Sequence, residues 1–412
     1  MTPRTSSRLQ RGLVVLGIVV LAFNLRPAAV SVGPVLGEVS DGLAMPSAQT
    51  GILTSLPVLA FAVFGALAPR LARVVGLHRL TLAALLCVVG GLAGRASVSS
   101  APLFLALSLL ALAGMATANV LLPSLVKLHF PDRVGLMTSI YTTALALGLT
   151  SASVLTVPIS EAYDGWRSGL LAWALTAALA ALPWCALVAH DRRPEVASGP
   201  IGLLDVARTR LGWLLALFFG LQSLQAYSIF GWFAELYQDA GFSAHDAGLL
   251  LGVITGVSIP LSFLIPSLVA RAHDQTLILC AVMACYPLGY VGLVVAPHGG
   301  ALAWAVLVGV GTTTFPLILT LIGLRARTPA GTAALSGFAQ SVGYLIAGIG
   351  PFGVGQLREL SGGWTVPLVA LVVLTVPQLL LGLAVSRPAY VEDELAARPD
   401  DSRTGDAPGP RT

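Results

Sequence analysis

The chain is 412 residues long, with 56% hydrophobic and only 10% charged residues, a mean hydropathy of +0.85 and a formal net charge of +4. A soluble domain needs a charged surface, so this composition excludes one and points to a chain whose solvent is lipid. The basic balance, with a pI near 9.0, is explained below by topology and requires no nucleic acid.

A hydrocarbon core is crossed by roughly 20 apolar residues in a helix. Charges and turn residues divide the chain into twelve such stretches, at 12–36, 50–69, 79–95, 101–126, 134–158, 168–189, 211–236, 246–270, 275–296, 300–324, 331–356 and 363–386. The expected fold is therefore an all-α integral membrane protein. Its expected parts are an N-terminal segment (1–11), a six-helix bundle (12–189), a polar linker (190–210), a second six-helix bundle (211–386) and a disordered tail (387–412). Arg4, Arg8 and Arg11 before the first apolar run resemble the start of a secretory signal. That run continues past Asn24 and Arg26 to about Leu36, too long for a signal core, so an uncleaved first helix is expected.

Lysine and arginine collect on the cytoplasmic side of membrane proteins. With both termini inside, the inside segments hold Arg4, Arg8, Arg11, Arg70, Arg73, Arg79, Lys127, Arg133, Arg192, Arg193, Arg208, Arg210, Arg271, Arg325, Arg327 and four tail arginines. The outside loops hold Arg95, Arg167 and Arg358. This asymmetry places both termini in the cytoplasm and the protein in the cytoplasmic membrane. Cys87, Cys185, Cys280 and Cys285 all fall inside expected spans with no CxxC pair, and read as packing residues.

Landmarks recur between the halves. Gly51 is matched by Gly248, and Pro69 and Leu71 by Pro266 and Leu268, at an offset of 197. Pro131 is matched by Pro329, and Gly165-Trp166 by Gly363-Trp364, at an offset of 198. Repeats separated by an even number of spans keep one orientation, so the two bundles are expected to be parallel repeats about an axis along the membrane normal.

Charge in the bilayer interior is costly, about 2.5 to 3.5 kcal/mol on insertion scales, and marks function by default. Arg26 lies about 14 residues into the first span, roughly 21 Å at 1.5 Å per residue, hence near mid-membrane. A guanidinium stays charged and presents five donors in a plane, which suits a carboxylate-like or other small anion, or an electron-rich planar group. The alternative is an arginine that pairs with carbonyls or polar side chains to hold the halves together. Asn24, Asn119, Tyr141, Gln222, Gln225, Gln340 and Tyr344 fall at similar depth on other turns and spans, each either a solute contact or an interhelical hydrogen bond. Gln222 and Gln225, three apart on one helix face, are the better pair to line a path. No Asp or Glu lies deep in a span; Glu38 and Glu235, near the outer ends of the first and seventh, are the candidates for proton titration, with a solvated helix end as the alternative.

Three runs carry a family resemblance: Asn24-Leu25-Arg26-Pro27 with Ser31-Val32-Gly33-Pro34, Phe130-Pro131-Asp132-Arg133-Val134-Gly135-Leu136-Met137-Thr138 leading into Tyr141-Thr142-Thr143-Ala144, and Leu335-Ser336-Gly337-Phe338-Ala339-Gln340-Ser341-Val342-Gly343-Tyr344. Together they resemble the cyanate transporter and nitroimidazole exporter family of the major facilitator superfamily, over about residues 12 to 386. The resemblance implies two bundles working by alternating access, with a cavity lined by helices one, two, four, five, seven, eight, ten and eleven. The superfamily's loop motif between spans two and three is recognisable as Gly65, Arg70, Gly76 and Arg79, with Arg73 between. Its usual acidic residue is missing, and Pro69 occupies that place. Arg70, Arg73 and Arg79 are equally readable as anionic-lipid contacts. The deep span-four arginine and Gly-Pro-rich span-five run of proton-driven drug antiporters are also not seen.

The leading expectation is a monomeric carrier of a small anionic or polar solute, cyanate-like, with membrane lipid as its other partner. Export of a nitroimidazole-like drug is the alternative, and a non-transporting receptor a remote one. No cofactor or metal is implied; proton coupling stays open. An intramembrane enzyme would need paired acids, a nucleophile motif or His-x-x-Glu-His, and none is present; His129, His190, His245, His273 and His298 fall at span ends or in loops. Direct ATP drive would need a phosphate loop with its lysine, and Lys127 is the single lysine.

Overall fold

The computed structural model describes residues 8–163, 165–188 and 201–397. The expected N-terminal segment before residue 8, the linker before residue 201 with His190, and the tail beyond residue 397 lie outside the described residues. Every regular element among the described residues is helical.

Twelve helical spans follow one another: Arg11–Gly42, Leu56–Val75, Leu77–Ser97, Ala101–His129, Pro131–Ala162, Trp166–Val188, Arg210–Asp239, Asp246–Arg271, Thr276–Val295, Ala301–Leu324, Pro329–Ser361 and Thr365–Ser386. They are numbered here in chain order. Spans 1–6 form one bundle and spans 7–12 the other. Span 1 starts and span 12 ends on one side, referred to below as the terminal face.

Several boundaries differ from the sequence expectation for local reasons. Span 2 runs on to Val75 because only Gly76, at φ 98°, turns the chain into span 3 without backbone strain. Span 1 reaches Gly42 in pieces: helices Arg8–Leu25 and Pro27–Val30, a 3-10 turn Gly33–Val35 and a last helix Leu36–Gly42. Pro27 and Pro34 each remove an amide donor and crowd the preceding turn, which breaks the helix at those points.

Two expectations are corrected. The tail does not lose structure at residue 387, because Val391–Ala396 is helical, with Val391 buried and its amide donating to the Arg325 carbonyl at 3.0 Å. A six-residue acidic helix has no hydropathy signal and is held by what it caps. Arg95, Arg167 and Arg358 are helical and not in loops, and Arg95 is only 1% exposed within span 3.

The halves meet along spans 2 and 11, 4 and 11, and 5 and 8, with span 10 against spans 4 and 5. Two of the repeat landmarks seat these crossings. A Cβ on Gly337 of span 11 would collide with the Pro69 ring of span 2, and one on Gly135 of span 5 would collide with Ala270 and the Pro266 carbonyl of span 8. Close backbone approach through small residues is how helices associate where lipid removes the hydrophobic drive.

Cross-half hydrogen bonds gather from mid-span toward the terminal face. Ser124 Oγ donates to the Pro329 carbonyl (2.7 Å), Thr142 Oγ1 to the Ser262 carbonyl (2.8 Å) and Ser336 Oγ to the Val120 carbonyl (2.9 Å). The Ser139 and Ser267 hydroxyls lie 2.9 Å apart, Asn119 Nδ2 donates to Gln340 Oε1 (2.6 Å) and Ser341 Oγ to the Phe61 carbonyl (3.4 Å). Toward the opposite face, by contrast, Gly33, Gly37, Gly248, Gly252, Gly256 and Gly353 have open space where a Cβ would stand. The cleft between the bundles is therefore sealed at the terminal face. At about 0.6 kcal/mol per intramembrane bond, the six bonds sum to about 4 kcal/mol.

The Ser139–Ser267 contact makes this closure testable. In a background lacking the four native cysteines, the pair Ser139→Cys and Ser267→Cys is expected to form a disulfide within minutes under mild oxidation and to arrest flux until reduced. Absence of the cross-link would contradict the sealed terminal face.

Candidate solute-binding site

The break in span 1 decides where its polar residues point. Pro27 cannot donate to the Phe23 carbonyl, and Gly148 of span 5 packs directly on that carbonyl with no room for a side chain. Asn24, one residue on, turns toward span 6: its Nδ2 donates to the Val20 carbonyl at 2.8 Å and its Oδ1 accepts from Thr176 Oγ1 at 2.7 Å. Beyond the break, buried Arg95 reaches across from span 3 and donates from Nη1 to the Ala28 carbonyl (3.2 Å) and from Nη2 to Ser31 Oγ (2.8 Å). The two arms of span 1 are thus fixed at an angle, with Arg26 at the joint.

Arg26 points into the seam between the bundles. Its guanidinium carbon lies 5.3 Å from the ring centroid of Phe315 on span 10, a cation–π contact. Its charge also acts on the hydroxyls of Tyr227 on span 7 and Tyr344 on span 11. Phe61 of span 2 packs against Tyr344 with ring centroids 3.9 Å apart, and Phe219 of span 7 lies edge-on to Tyr344 at 5.1 Å and 5.8 Å from Phe315. Phe315, Tyr227 and Tyr344 stand nearest the guanidinium, and Phe61 and Phe219 pack behind them. Among the described residues no carboxylate forms an ion pair with Arg26.

Span 10 is interrupted too. Its helices Ala301–Thr312 and Thr314–Leu324 meet at Thr313, where the hydroxyls of Thr312, Thr313 and Thr314 bond back to the Gly309, Val310 and Gly311 carbonyls. Such back-bonding competes with the helical ladder and bends it. Phe315 follows this joint directly, so a broken helix from each half faces the other across the seam. Transporters place solute sites at discontinuous helices of this kind. Span 2 contributes a π-helical turn, Phe61–Gly65, beside Tyr344, again a feature common at functional sites.

Beneath the rings lies a polar floor. Asn119 Nδ2 donates to Gln340 Oε1, and Gln340 Nε2 donates to Ser336 Oγ at 2.7 Å. Gln340 precedes Tyr344 by one helical turn, about 6 Å of rise. Tyr344 and Tyr141 are fully buried.

Gln222 and Gln225 are placed elsewhere. Gln222 Nε2 donates to the Tyr286 hydroxyl (3.1 Å) and the Thr312 carbonyl (3.3 Å), while its Oε1 accepts from Gln378 Nε2 (2.8 Å). Gln225 Nε2 donates to Gln378 Oε1 (2.8 Å) and its Oε1 accepts from the Tyr290 hydroxyl (2.7 Å). Both amides are partnered between spans 7, 9, 10 and 12 of one bundle. Glu38 is exposed near the far end of span 1, whereas Glu235 pairs with Arg358 at 2.8 Å, an arginine that also holds Asp239 at 2.6 Å.

Several contributors to the seam were missed from sequence: Tyr227, Phe315, Phe61 and Phe219. Aromatic residues within apolar spans look lipid-facing; only the Thr312-Thr313-Thr314-Phe315-Pro316 run offered a signal, as a helix interruption.

Comparison with known proteins fits this architecture. The model of the Major Facilitator Superfamily matches residues 14–351. The chain belongs to the major facilitator superfamily. A 2-nitroimidazole transporter of Escherichia coli (strain K12) is 35% identical over 94% of this chain and 99% of its own length. The cyanate transport protein CynX of the same organism is 28% identical over 85% of this chain and 91% of its own. The E. coli fucose:proton symporter FucP shares the fold, with a TM-score of 0.75 at 14% identity over 93% of this chain and all of that one. The chain is accordingly a superfamily transporter of a small solute and not an enzyme.

The residues expected to form the loop motif lie around the turn between spans 2 and 3. Gly65 ends the π turn against Ser341 of span 11, Gly76 makes the turn, and Pro69 packs on Gly337. Arg70, Arg73 and Arg79 are exposed at the terminal face, and the Arg73 guanidinium lies alongside Gly202 of the linker.

The amide cluster yields a prediction independent of transport. Gln378→Leu orphans Gln225 Nε2 and leaves Gln222 Oε1 only the 3.3 Å bond from the Tyr286 hydroxyl, at about 1–3 kcal/mol for a buried group left unpaired. The purified variant should melt several degrees lower with unchanged apparent KM; an unshifted melting temperature would contradict the network's structural weight.

Proposed function

We propose that this transporter carries a small anionic or polar solute by alternating access, held between the two bundles at Arg26. The observation that carries this reading is a mid-span guanidinium that forms no ion pair among the described residues and lies over the Phe315 ring. Arg26 is half-buried, and a solute anion would meet its charge with charge-assisted hydrogen bonds. Asn119, Gln340, Tyr141 and Tyr344 are the polar groups proposed to orient the solute. Asn24, Gln222 and Gln225 are proposed to act indirectly, by holding spans 1 and 7 in place.

The similarity to the cyanate transport protein supports a small anion. The similarity to the 2-nitroimidazole transporter supports the second reading, and the aromatic rings favour it specifically: a nitroarene is planar, stacks on rings and offers two acceptor oxygens to a guanidinium fork. Arginines at the terminal face support a cytoplasmic placement of that face, with the cleft open to the outside of the cytoplasmic membrane. We propose a monomer. Glu38, free of the ion pair that engages Glu235, is the carboxylate proposed to titrate if a proton is coupled.

Counterflow in proteoliposomes tests the reading, using cyanate, nitrate and neutral nitroimidazoles, with and without an imposed proton gradient. Arg26→Gln removes hydrogen bonds to a charged group, about 1.5–3 kcal/mol, so apparent affinity for the transported anion should fall roughly 10- to 150-fold. Flux of neutral nitroimidazoles alone, untouched by the substitution, would sink the anion reading. Phe315→Leu should weaken nitroimidazole transport more than cyanate transport.

A further inference from the structure

The inner and outer arms of span 1 are anchored by different helices of the first bundle. Span 6 holds the inner arm: Trp184 Nε1 donates to the Gly17 carbonyl at 3.2 Å, and Thr176 Oγ1 to Asn24 Oδ1 at 2.7 Å. Beyond Pro27 the Val30 amide donates to the Arg26 carbonyl and the Ser31 amide to the Pro27 carbonyl, each at 3.1 Å. The backbone ladder then resumes with Val35 on Val32, also at 3.1 Å. The Ala28 carbonyl falls in that gap. Its donor is a side chain, Arg95 Nη1 of span 3 at 3.2 Å, while Nη2 of the same guanidinium donates to Ser31 Oγ at 2.8 Å. Ala28, Ser31 and Arg95 are all buried.

A charge this deeply buried is costly, and among the described residues no carboxylate pairs with Arg95. A neutral donor would satisfy one freed carbonyl at lower cost. What the guanidinium adds is a rigid planar fork that grips a carbonyl and a hydroxyl three residues apart at once. That grip fixes the direction in which the chain leaves Pro27, whose ring already limits φ. Arg26 lies on the other side of the Pro27 ring, two residues from Ala28, and its side chain meets Phe315 of the facing bundle.

We propose that Arg95 is a positioning residue of the solute site. It supplies the donor that the backbone lacks at the break, holds the outer arm of span 1 at its angle, and thereby keeps the Arg26 guanidinium over Phe315. Arg95 does not touch the solute; its effect on affinity passes through Arg26. This rests on Arg26 as the solute's partner, but the angle of span 1 is measurable with no solute present, so the two readings fail separately.

In a full-length background lacking the four native cysteines, spin labels report the arm's position in lipid nanodiscs by electron paramagnetic resonance. One label is placed on Gly37→Cys of the outer arm, where a side chain has open space, and the other on Ser97→Cys of span 3. Ser31→Ala, which takes away the acceptor of one prong, should broaden the distance distribution, and Arg95→Gln should also shift it. In counterflow with cyanate, or with a neutral nitroimidazole if that is what the parent carries, each substitution should raise apparent KM about 2- to 10-fold, the scale of one hydrogen bond. Saturated flux per folded carrier should hold. Arg95→Lys, which keeps the charge without the fork, should behave as Arg95→Gln does. In the Arg26→Gln background none of these substitutions should raise KM further, because all act through that side chain. An unchanged distance distribution, full recovery of KM by Arg95→Lys, effects that multiply with Arg26→Gln, or a changed distance with KM untouched would each overturn the proposal.

Discussion

The Arg26 guanidinium stands midway along span 1, at the joint between two bundles, and among the described residues no carboxylate pairs with it. Most of the surrounding structure is arranged around that charge. Pro27 breaks the helix so that Arg26 leaves the bundle wall, Arg95 fixes the outer arm, and Phe315, Tyr227 and Tyr344 bring the facing half to it. Aromatic faces offer a cation partial stabilisation without cancelling its charge. The proposed preference for an anion or for acceptor oxygens follows from that arrangement.

The bundles are joined by weak devices, which suits a seam that has to open. Glycines seat the Pro69 and Pro266 kinks, and single hydroxyl-to-carbonyl bonds tie spans 4, 5, 8 and 11. By contrast the network of Gln222, Gln225, Gln378, Tyr286 and Tyr290 within one bundle is densely bonded. Bonding is thus dense inside a bundle and sparse across the seam, a division that suits halves moving as units.

Span number and the paired-bundle architecture were legible in the sequence because hydropathy reports depth directly. Arg26 was legible for the same reason: charge at mid-span is conspicuous. Azimuth was not. Asn24 and Gln222 occupy suitable depths yet turn toward partners in their own bundles, and one sequence does not reveal which way a polar side chain faces. Phe61, Phe219 and Phe315 were hidden because an aromatic residue on the seam and one in lipid look alike. Arg95 was read as a loop charge from its position near a span end, although it is 1% exposed. The Val391–Ala396 helix escaped notice because it is short, acidic and stabilised by the helix ends it meets.

The most direct measurement is a structure of the carrier in lipid nanodiscs with cyanate or a nitroimidazole bound. Solute acceptor atoms at 2.7–3.2 Å from the Arg26 guanidinium, a hydrogen-bonding distance, with the solute against Phe315 or Tyr344, is the expected result. Solute bound elsewhere in the cleft, with Arg26 still facing only its aromatic neighbours, would contradict its role as charge partner.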